Sequence, residues 1–304
     1  MKQTLVIGST VVDVLLSLPA LPLRGGDVNI TSSEFRIGGC AHNVFKTLQI
    51  FKSPALLCSP VGQGLYGNMV RKHLEVEGIP PFVNLEEENG CCYCLVEPDG
   101  ERSFLAHHGA EYLFSRSWME KIDYSRSGSV FICGLEVEEH TGTEIIDFVY
   151  EHPELEVYFA PGPRIKHIQT EKMDRLLAHR DINGRGPLLH LNEIEALSYS
   201  GKRKLEEAAE FLAEKAGNNV VITLGERGCY CRDISHLSGT AIAGTQVKVV
   251  DTVGAGDAHC GALIACLKNG MKLEEACKTA NRIGASIVNI KGSVLHKPPA
   301  WLPV

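Results

Sequence analysis

The chain has 304 residues, 44% of them hydrophobic and 22% charged, with a formal net charge of −7. That length supports a large buried core and fits one large α/β domain. The acidic balance, with no run of Lys or Arg, argues against a nucleic-acid partner, and no apolar run approaches membrane-spanning length.

TLVIGS reads as a buried first strand rather than a signal peptide, because Asp13 interrupts the apolar stretch that follows. With no secretory signal, the eleven scattered cysteines are expected as reduced thiols in a cytoplasmic protein. Residues 27–37, DVNITSSEFRI, lack helical spacing. AHNVFKTLQIF carries Val44, Leu48 and Phe51 at helical spacing, ALLCSPV is a strand, and LYGNMVRKHLEVEG is a helix ended by Gly78. Residues 91–106 form two strand-like runs around Pro98-Asp99-Gly100, a hairpin turn. Cys91, Cys92 and Cys94 cluster there, with His107 and His108 beyond, but C-C-Y-C-L-V has strand alternation and no second CxxC pair follows; zinc is not expected.

SVFICG, LEVYFA, PLLHLN and NNVVITLG are further strands, separated by amphipathic helices such as KLEEAAEFLAEKAG. The alternation indicates a mainly parallel sheet covered by helices on both faces. Residues 27–37 and 91–106 break the rhythm, and a small β lid accounts for both. The expected organisation is one domain over 1–304 with a lid from about 10–38 and 91–108.

Near the end, VVDTVGAGDAHCGAL joins a strand at Val247, Val249 and Val250 to a helix beginning near Ala258. Gly254 and Gly256 permit unusual backbone angles, and a helix N-terminus adds partial positive charge, so the turn can hold an anion. A tight, well-capped turn is the plainer alternative, since Asp at a helix start is a favoured cap. Asp13, after the first strand, and Gly38-Gly39-Cys40-Ala41-His42-Asn43 offer a carboxylate, an amide and exposed glycine N–H groups, suited to a polyhydroxylated ligand. Asn192-Glu193-Ile194-Glu195 reads either as a solvated helix start or as a water-mediated grip on Mg²⁺. Gly62, Gly64 and Gly67 satisfy GxGxxG, with Glu86 to Glu88 about 20 residues later. Those acids lie in what reads as a polar turn, so the nicotinamide-dependent oxidoreductase this spacing suggests is the alternative from another class.

GGCAHN, NEIE, TLGERG and DTVGAGD occur in the order of the PfkB family, and the chain resembles the ribokinase-like sugar and nucleoside kinases over essentially its whole length. The resemblance implies a ribokinase-like three-layer α/β/α sandwich with a small β lid. It also implies ATP-dependent phosphorylation of a primary hydroxyl of a small sugar, or of a nucleoside. By the same resemblance Asp257 is the base, and Gly254, Ala255, Gly256 and Asp257 form the anion hole. Asp13, Gly38, Gly39 and Asn43 meet the acceptor substrate. Asn192, Thr223, Gly225, Gly228 and Asn281 surround ATP, and Glu195 serves Mg²⁺ through water. Asp251 lies where relatives bind a monovalent cation, so K⁺ joins ATP and Mg²⁺ among the implied cofactors. Two positions depart from the pattern: Gly64 replaces an Asp, and PGPR replaces an Asp-x-Asn-x-Arg run, leaving Arg164 as the residue to meet a phosphate and the substrate class open. A homodimer through the exposed lid face is the expected assembly.

Overall fold

The computed structural model describes residues 2–236 and 238–302. Its strands begin with β1 (Gln3–Ile7), β2 (Val11–Ser17), β3 (Ser32–Gly38), β4 (Ala55–Cys58), β5 (Pro60–Gln63), β6 (Val83–Glu88) and β7 (Cys91–Val96). They continue with β8 (Arg102–His107), β9 (Ser127–Cys133), β10 (Glu156–Ala160), β11 (Leu188–Asn192), β12 (Val220–Thr223), β13 (Cys229–Arg232) and β14 (Thr240–Ile242). The helices are α1 (Cys40–Ile50), α2 (Gly64–Val76), α3 (Arg116–Met119), α4 (Gly134–Glu138) and α5 (Gly142–Glu151). After them come α6 (Thr170–Ala178), α7 (Glu193–Ser200), α8 (Leu205–Ala216), α9 (Ala255–Lys268) and α10 (Leu273–Val288).

Two compact units divide the chain, and the larger takes in residues up to Gly8, Cys40–Cys58 and the chain from Phe114 onward. Among the described residues its strands form one sheet in the order β14-β13-β12-β11-β10-β9-β1-β4. Pairing is parallel from β12 through β4, and antiparallel at the β13–β14 edge. The parallel strands are continuous apolar runs because both faces are covered. Leu5, Val6, Ile7, Val130, Phe131, Ile132, Val220, Val221 and Ile222 are all buried, each contributing about 1.5–3 kcal/mol. Helix α8 shows why its neighbours are helical: Ala208, Ala209, Leu212, Ala213 and Ala216 form its buried stripe, and Gly217 ends it in the left-handed conformation, φ 67°. Parallel pairing brings the strand ends to one edge, where Ala160 lies opposite Cys133 and Thr223 opposite Asn192.

The expected strand at Val247, Val249 and Val250 is not there. The sheet ends at Ile242, and the N–H groups of Val250 and Asp251 bond to the Val288 carbonyl at the end of α10 instead of to a strand. Val249 is 65% exposed, and with Val247 it walls a cavity.

The smaller unit is Ser9–Gly39 with Ser59–Leu113. Its strands form a sheet ordered β3-β2-β7-β8, and a pair, β5-β6. It therefore includes more than the segments 10–38 and 91–108: β5, α2 and β6 belong to it as well. ALLCSPV is two strands in different sheets, and only Ser32 onward of DVNITSSEFRI is strand. The hairpin turn forms as expected, with Gly100 at φ 90° donating to the Glu97 carbonyl.

Glu86, Glu87 and Glu88 lie in β6, not in a polar turn. The glycine fingerprint beside them is occupied by packing. The Gly62 N–H donates to Asn89 Oδ1 at 2.6 Å, and a Cβ on Gly67 would meet the Gly62 carbonyl at 2.2 Å. Asn89 in turn donates to the buried Glu111 carboxylate, which also accepts the N–H groups of Gly90 and Gly109.

Candidate active site

Helix α9 starts at the 254–257 turn, and two cavities of the larger unit share that start. The first, about 300 Å³, is lined by Thr223, Gly225, Gly228, Val247, Ala255, Gly256, His259, Asn281 and the loop 244–249. The second, about 190 Å³, is lined by Cys40, Cys133, Asn192, Glu195, Thr223, Gly254, Gly256, Asp257 and Cys260 among others. Thr223 and Gly256 border both. The arrangement gives a pocket large enough for a nucleotide fragment beside a smaller, more polar one.

The turn itself needs glycine. Gly254 sits at φ 75°, and a Cβ there would meet the Ser293 carbonyl at 2.5 Å. A Cβ on Gly256 would meet nothing within 4 Å, because it would point into open cavity. Ala255, Gly256 and Asp257 are the first three helical residues, so their N–H groups have no partner within the helix.

Asp257 is half-buried, and Asn43 of α1 donates its amide to the carboxylate at 2.8 Å. Burial pushes the Asp257 pKa up to about 6, against the opposing hydrogen bonds from Asn43 and the Cys40 thiol. Asn43 is occupied at both ends, since its Oδ1 accepts from Ser293 Oγ at 3.1 Å. Asp251 is buried and holds the turn from behind: Oδ1 accepts from the Val253 N–H and Oδ2 from the Gly292 N–H.

Asn192 and Glu195 form a reciprocal capping box at the start of α7, the side chain of each accepting the other's backbone N–H. Burial raises the Glu195 pKa, the Asn192 N–H opposes it, and the Asp257 charge raises it further. Two carboxylates destabilised by burial and lining one cavity are a donor set that a hydrated divalent cation would relieve. Arg164, in PGPR, is ion-paired with Glu138.

Asn281 donates to the Ile242 and Ala243 carbonyls, leaving its Oδ1 for His259 Nε2 at 3.0 Å. That fixes the proton on His259 Nε2, so His259 Nδ1 accepts from His190 Nε2 at 2.9 Å. Burial, with the neighbouring His259, holds the His190 pKa well below its usual value, which keeps the ring neutral. A buried chain His190–His259–Asn281 thus runs from the wall of one cavity to that of the other.

Sequence reading missed both histidines and Glu136. Glu136, in the first turn of α4 just past β9, is fully buried, its Oε1 3.0 Å from where a Gly8 Cβ would stand. As one of three glutamates in GLEVEE it carries no spacing signal, and only packing singles it out.

In the smaller unit, Asp13 follows the first strand as expected, and lies within β2. The glycine pair answers to it. A Cβ on Gly38 would strike Asp13 Oδ2 at 2.3 Å, and Gly39, at φ 100°, would strike the Ser9 carbonyl at 2.5 Å.

A family model described as pfkB family carbohydrate kinase matches residues 1–299. The chain belongs to the pfkB carbohydrate kinases. The kinase is 29% identical over 296 residues to an Escherichia coli (strain K12) protein named as an uncharacterized sugar kinase, YegV, covering 96% of this chain and 90% of that one. Its fold matches that of ribokinase from Giardia lamblia with a TM-score of 0.82 at 20% identity, over 96% of both chains. It also matches Arabidopsis thaliana ribokinase, solved with ribose and ATP, with a TM-score of 0.79 at 20% identity, over 98% of this chain and 96% of that one. The kinase is therefore an ATP-dependent phosphotransferase with the ribokinase-like fold, a three-layer α/β/α sandwich with a small β-sheet. The oxidoreductase alternative falls, since the family match spans the chain and the GQGLYG glycines serve packing. Among the described residues no helix is long and apolar enough to cross a membrane.

Proposed function

We propose that the kinase transfers the γ-phosphoryl group of ATP to a primary hydroxyl of a small sugar or sugar-like acceptor, with Asp257 as base. The observation that carries this is Asp257 in the first turn of α9, lining the smaller cavity next to Gly256, which borders both cavities, with a pKa pushed up to about 6. A base of that pKa is ionised at neutral pH yet basic enough to take the hydroxyl proton as the oxygen attacks phosphorus. ADP leaves on the opposite side, and the N–H groups of Ala255, Gly256 and Asp257 stabilise the charge spread over the phosphoryl oxygens.

The nucleotide occupies the larger cavity, against Thr223, Gly225, Gly228 and Asn281, with Asn192 towards its phosphates. Glu195 holds Mg²⁺ through water, and the ion neutralises phosphate charge when bound. Asp251 supports K⁺ behind the turn. Asp13 with Gly38 and Gly39 grips acceptor hydroxyls, while Asn43 orients Asp257 rather than offering a free amide. The exposed Phe35, Phe104 and Leu105 of the smaller unit support a homodimer, which sedimentation with a Phe35→Ser/Leu105→Ser variant tests.

A panel of sugars and nucleosides, assayed for ADP release with Mg²⁺–ATP, tests the reading and names the acceptor. A sugar turned over with release of ADP and a phosphate monoester supports it. A nucleoside preferred over every sugar would shift the assignment to nucleoside kinase, and stabilisation by NAD or NADP alone would overturn it.

A further inference from the structure

Strand β13, in the larger unit, reads Cys229-Tyr230-Cys231-Arg232, so its two cysteines share one face. Arg232 takes the opposite face, where it pairs with Glu210 of α8 at 2.5 Å. Cys229 and Cys231 are therefore turned towards α10, which presents Cys277 and, one turn later, Asn281. The Cys277 thiol is in hydrogen-bond contact with both Cys229 and Cys231, and all three are buried free thiols. Asn281 donates to the carbonyl of Ile242, the residue opposite Cys229. The Cys231 thiol donates to the carbonyl of Thr240, its own cross-strand partner, at 3.5 Å. Cys229 lies against His259 and Asn281, whereas Cys231 borders a separate cavity of about 430 Å³ beside the start of α10. Three acids on that cavity wall, Asp233, Glu274 and Glu275, face one lysine, Lys272, and one histidine, His236.

We propose that Cys231 and Cys277 form a thiol modification site at which a small cationic disulfide is reduced and an S–S bond between β13 and α10 is made. The Cys231 thiolate attacks one sulfur of the small disulfide, giving a mixed disulfide and expelling one thiol. The Cys277 thiolate then attacks the Cys231 sulfur, forming the Cys231–Cys277 bond and expelling the second thiol. Two protein thiols are oxidised, the small disulfide is reduced to two thiols, and the protons lost by the cysteines pass to them. Contact with Cys277 holds the Cys231 thiol below its usual pKa against the cost of burial, which suits Cys231 to attack first. Cys277 is 0% exposed and touches Cys231, so it resolves the mixed disulfide. Glu275 is shared with Lys278 at 2.6 Å, yet the acids still favour a cationic reagent in the cavity. Closing the contact to the ~2.05 Å of an S–S bond draws α10 towards β13. Asn281 moves with α10, and it both lines the 300 Å³ cavity and holds the carbonyls of Ile242 and Ala243. Nucleotide binding is therefore the step that oxidation disturbs. The modification does not depend on the proposed reaction, whereas its effect on ATP rests on the nucleotide occupying that cavity.

The test is disulfide mapping of the reduced full-length protein after incubation with cystamine, removal of the reagent and alkylation under denaturing conditions. A peptide pair joined through Cys231 and Cys277, and parted by dithiothreitol, is expected. Glutathione disulfide, larger and anionic, should form it at least about fivefold more slowly at the same concentration. In the oxidised protein KM for ATP should rise by about fivefold or more while kcat changes less, and dithiothreitol should restore both. Cys231→Ala should show neither the joined pair nor a cystamine-dependent change in KM, which separates this site from the other cysteines. If that variant does not fold, Cys277→Ala serves the same comparison, and the wild-type map stands without either. A stable cystamine adduct on Cys231, or no link between the two cysteines, overturns the site. Equal rates with the two reagents overturn the charge selection, and a formed link with unchanged KM overturns the coupling to the nucleotide.

Discussion

Asn43 and Asp257, separated by 214 positions in the chain, are joined by a 2.8 Å hydrogen bond from amide to carboxylate. The bond links the start of α1 to the start of α9, and the Ser293 hydroxyl locks the other end of the Asn43 amide. Asn43 therefore acts by holding Asp257 in one orientation. Asn43→Ala should lower turnover by about tenfold or more without removing nucleotide binding, since it frees the base but leaves the larger cavity alone. Unchanged kcat in that variant would remove Asn43 from this role.

Gly254, not Asp257, is the N-cap of α9 and no side chain caps it, so Asp257→Asn removes the base while costing the helix no capping bond. Turnover should fall by about 10²- to 10⁴-fold while Mg²⁺–ATP still stabilises the protein. The same change should raise the melting temperature. The folded-state pKa, about 6, exceeds the ordinary 3.8, so the stability this group contributes is present below pH 3.8 and lost as pH rises towards 6. At pH 7.5 the folded chain bears the full cost of an ionised Asp257, about 3 kcal/mol, which Asn relieves. Thermal melts of both proteins at pH 7.5 and pH 4.5 should show the gap closing in acid.

The wild-type enzyme should show an acid limb in kcat/KM near pH 6. Protonation removes the acceptor for the hydroxyl proton, so activity falls about tenfold per pH unit below that value. A profile flat from pH 5 to pH 7 would count against Asp257 as base.

Gly254 and Gly256 should fail differently. Gly254→Ala meets both a positive φ and the Ser293 carbonyl, so it should destabilise the fold by about 1–3 kcal/mol. Gly256→Ala meets no neighbour, so its melting temperature should hold while kcat drops, because the methyl group enters the cavity where a phosphoryl group would lie. Denaturation and steady-state kinetics on the two variants decide this.

His259→Phe should cost stability and nucleotide affinity together. It strands the His190 N–H and the Asn281 Oδ1 in the interior, each unsatisfied group costing about 1–3 kcal/mol. With Asn281 released at the cavity wall, KM for ATP should rise more than kcat falls. A variant with wild-type melting and KM would show the chain of hydrogen bonds to be idle.

The sequence by itself determined the α/β class, the order of most strands and helices, the hairpin at Gly100 and the stretches GGCAHN and DTVGAGD. Each is a local matter: apolar periodicity follows burial, and glycines mark turns whose backbone angles other residues resist. It misread Val247–Val250 as a strand and Glu86–Glu88 as a turn, because β-branched and acidic residues take their state from neighbours that the local pattern does not name. The tertiary structure alone decided which side chains meet. It set Asn43 on Asp257, threaded His190 and His259 to Asn281, buried Glu136 and pushed the Asp257 pKa up to about 6. Those are contacts and desolvation among residues far apart in the chain, and they exist only once the sheet has aligned its strand ends and α1 and α9 have packed together.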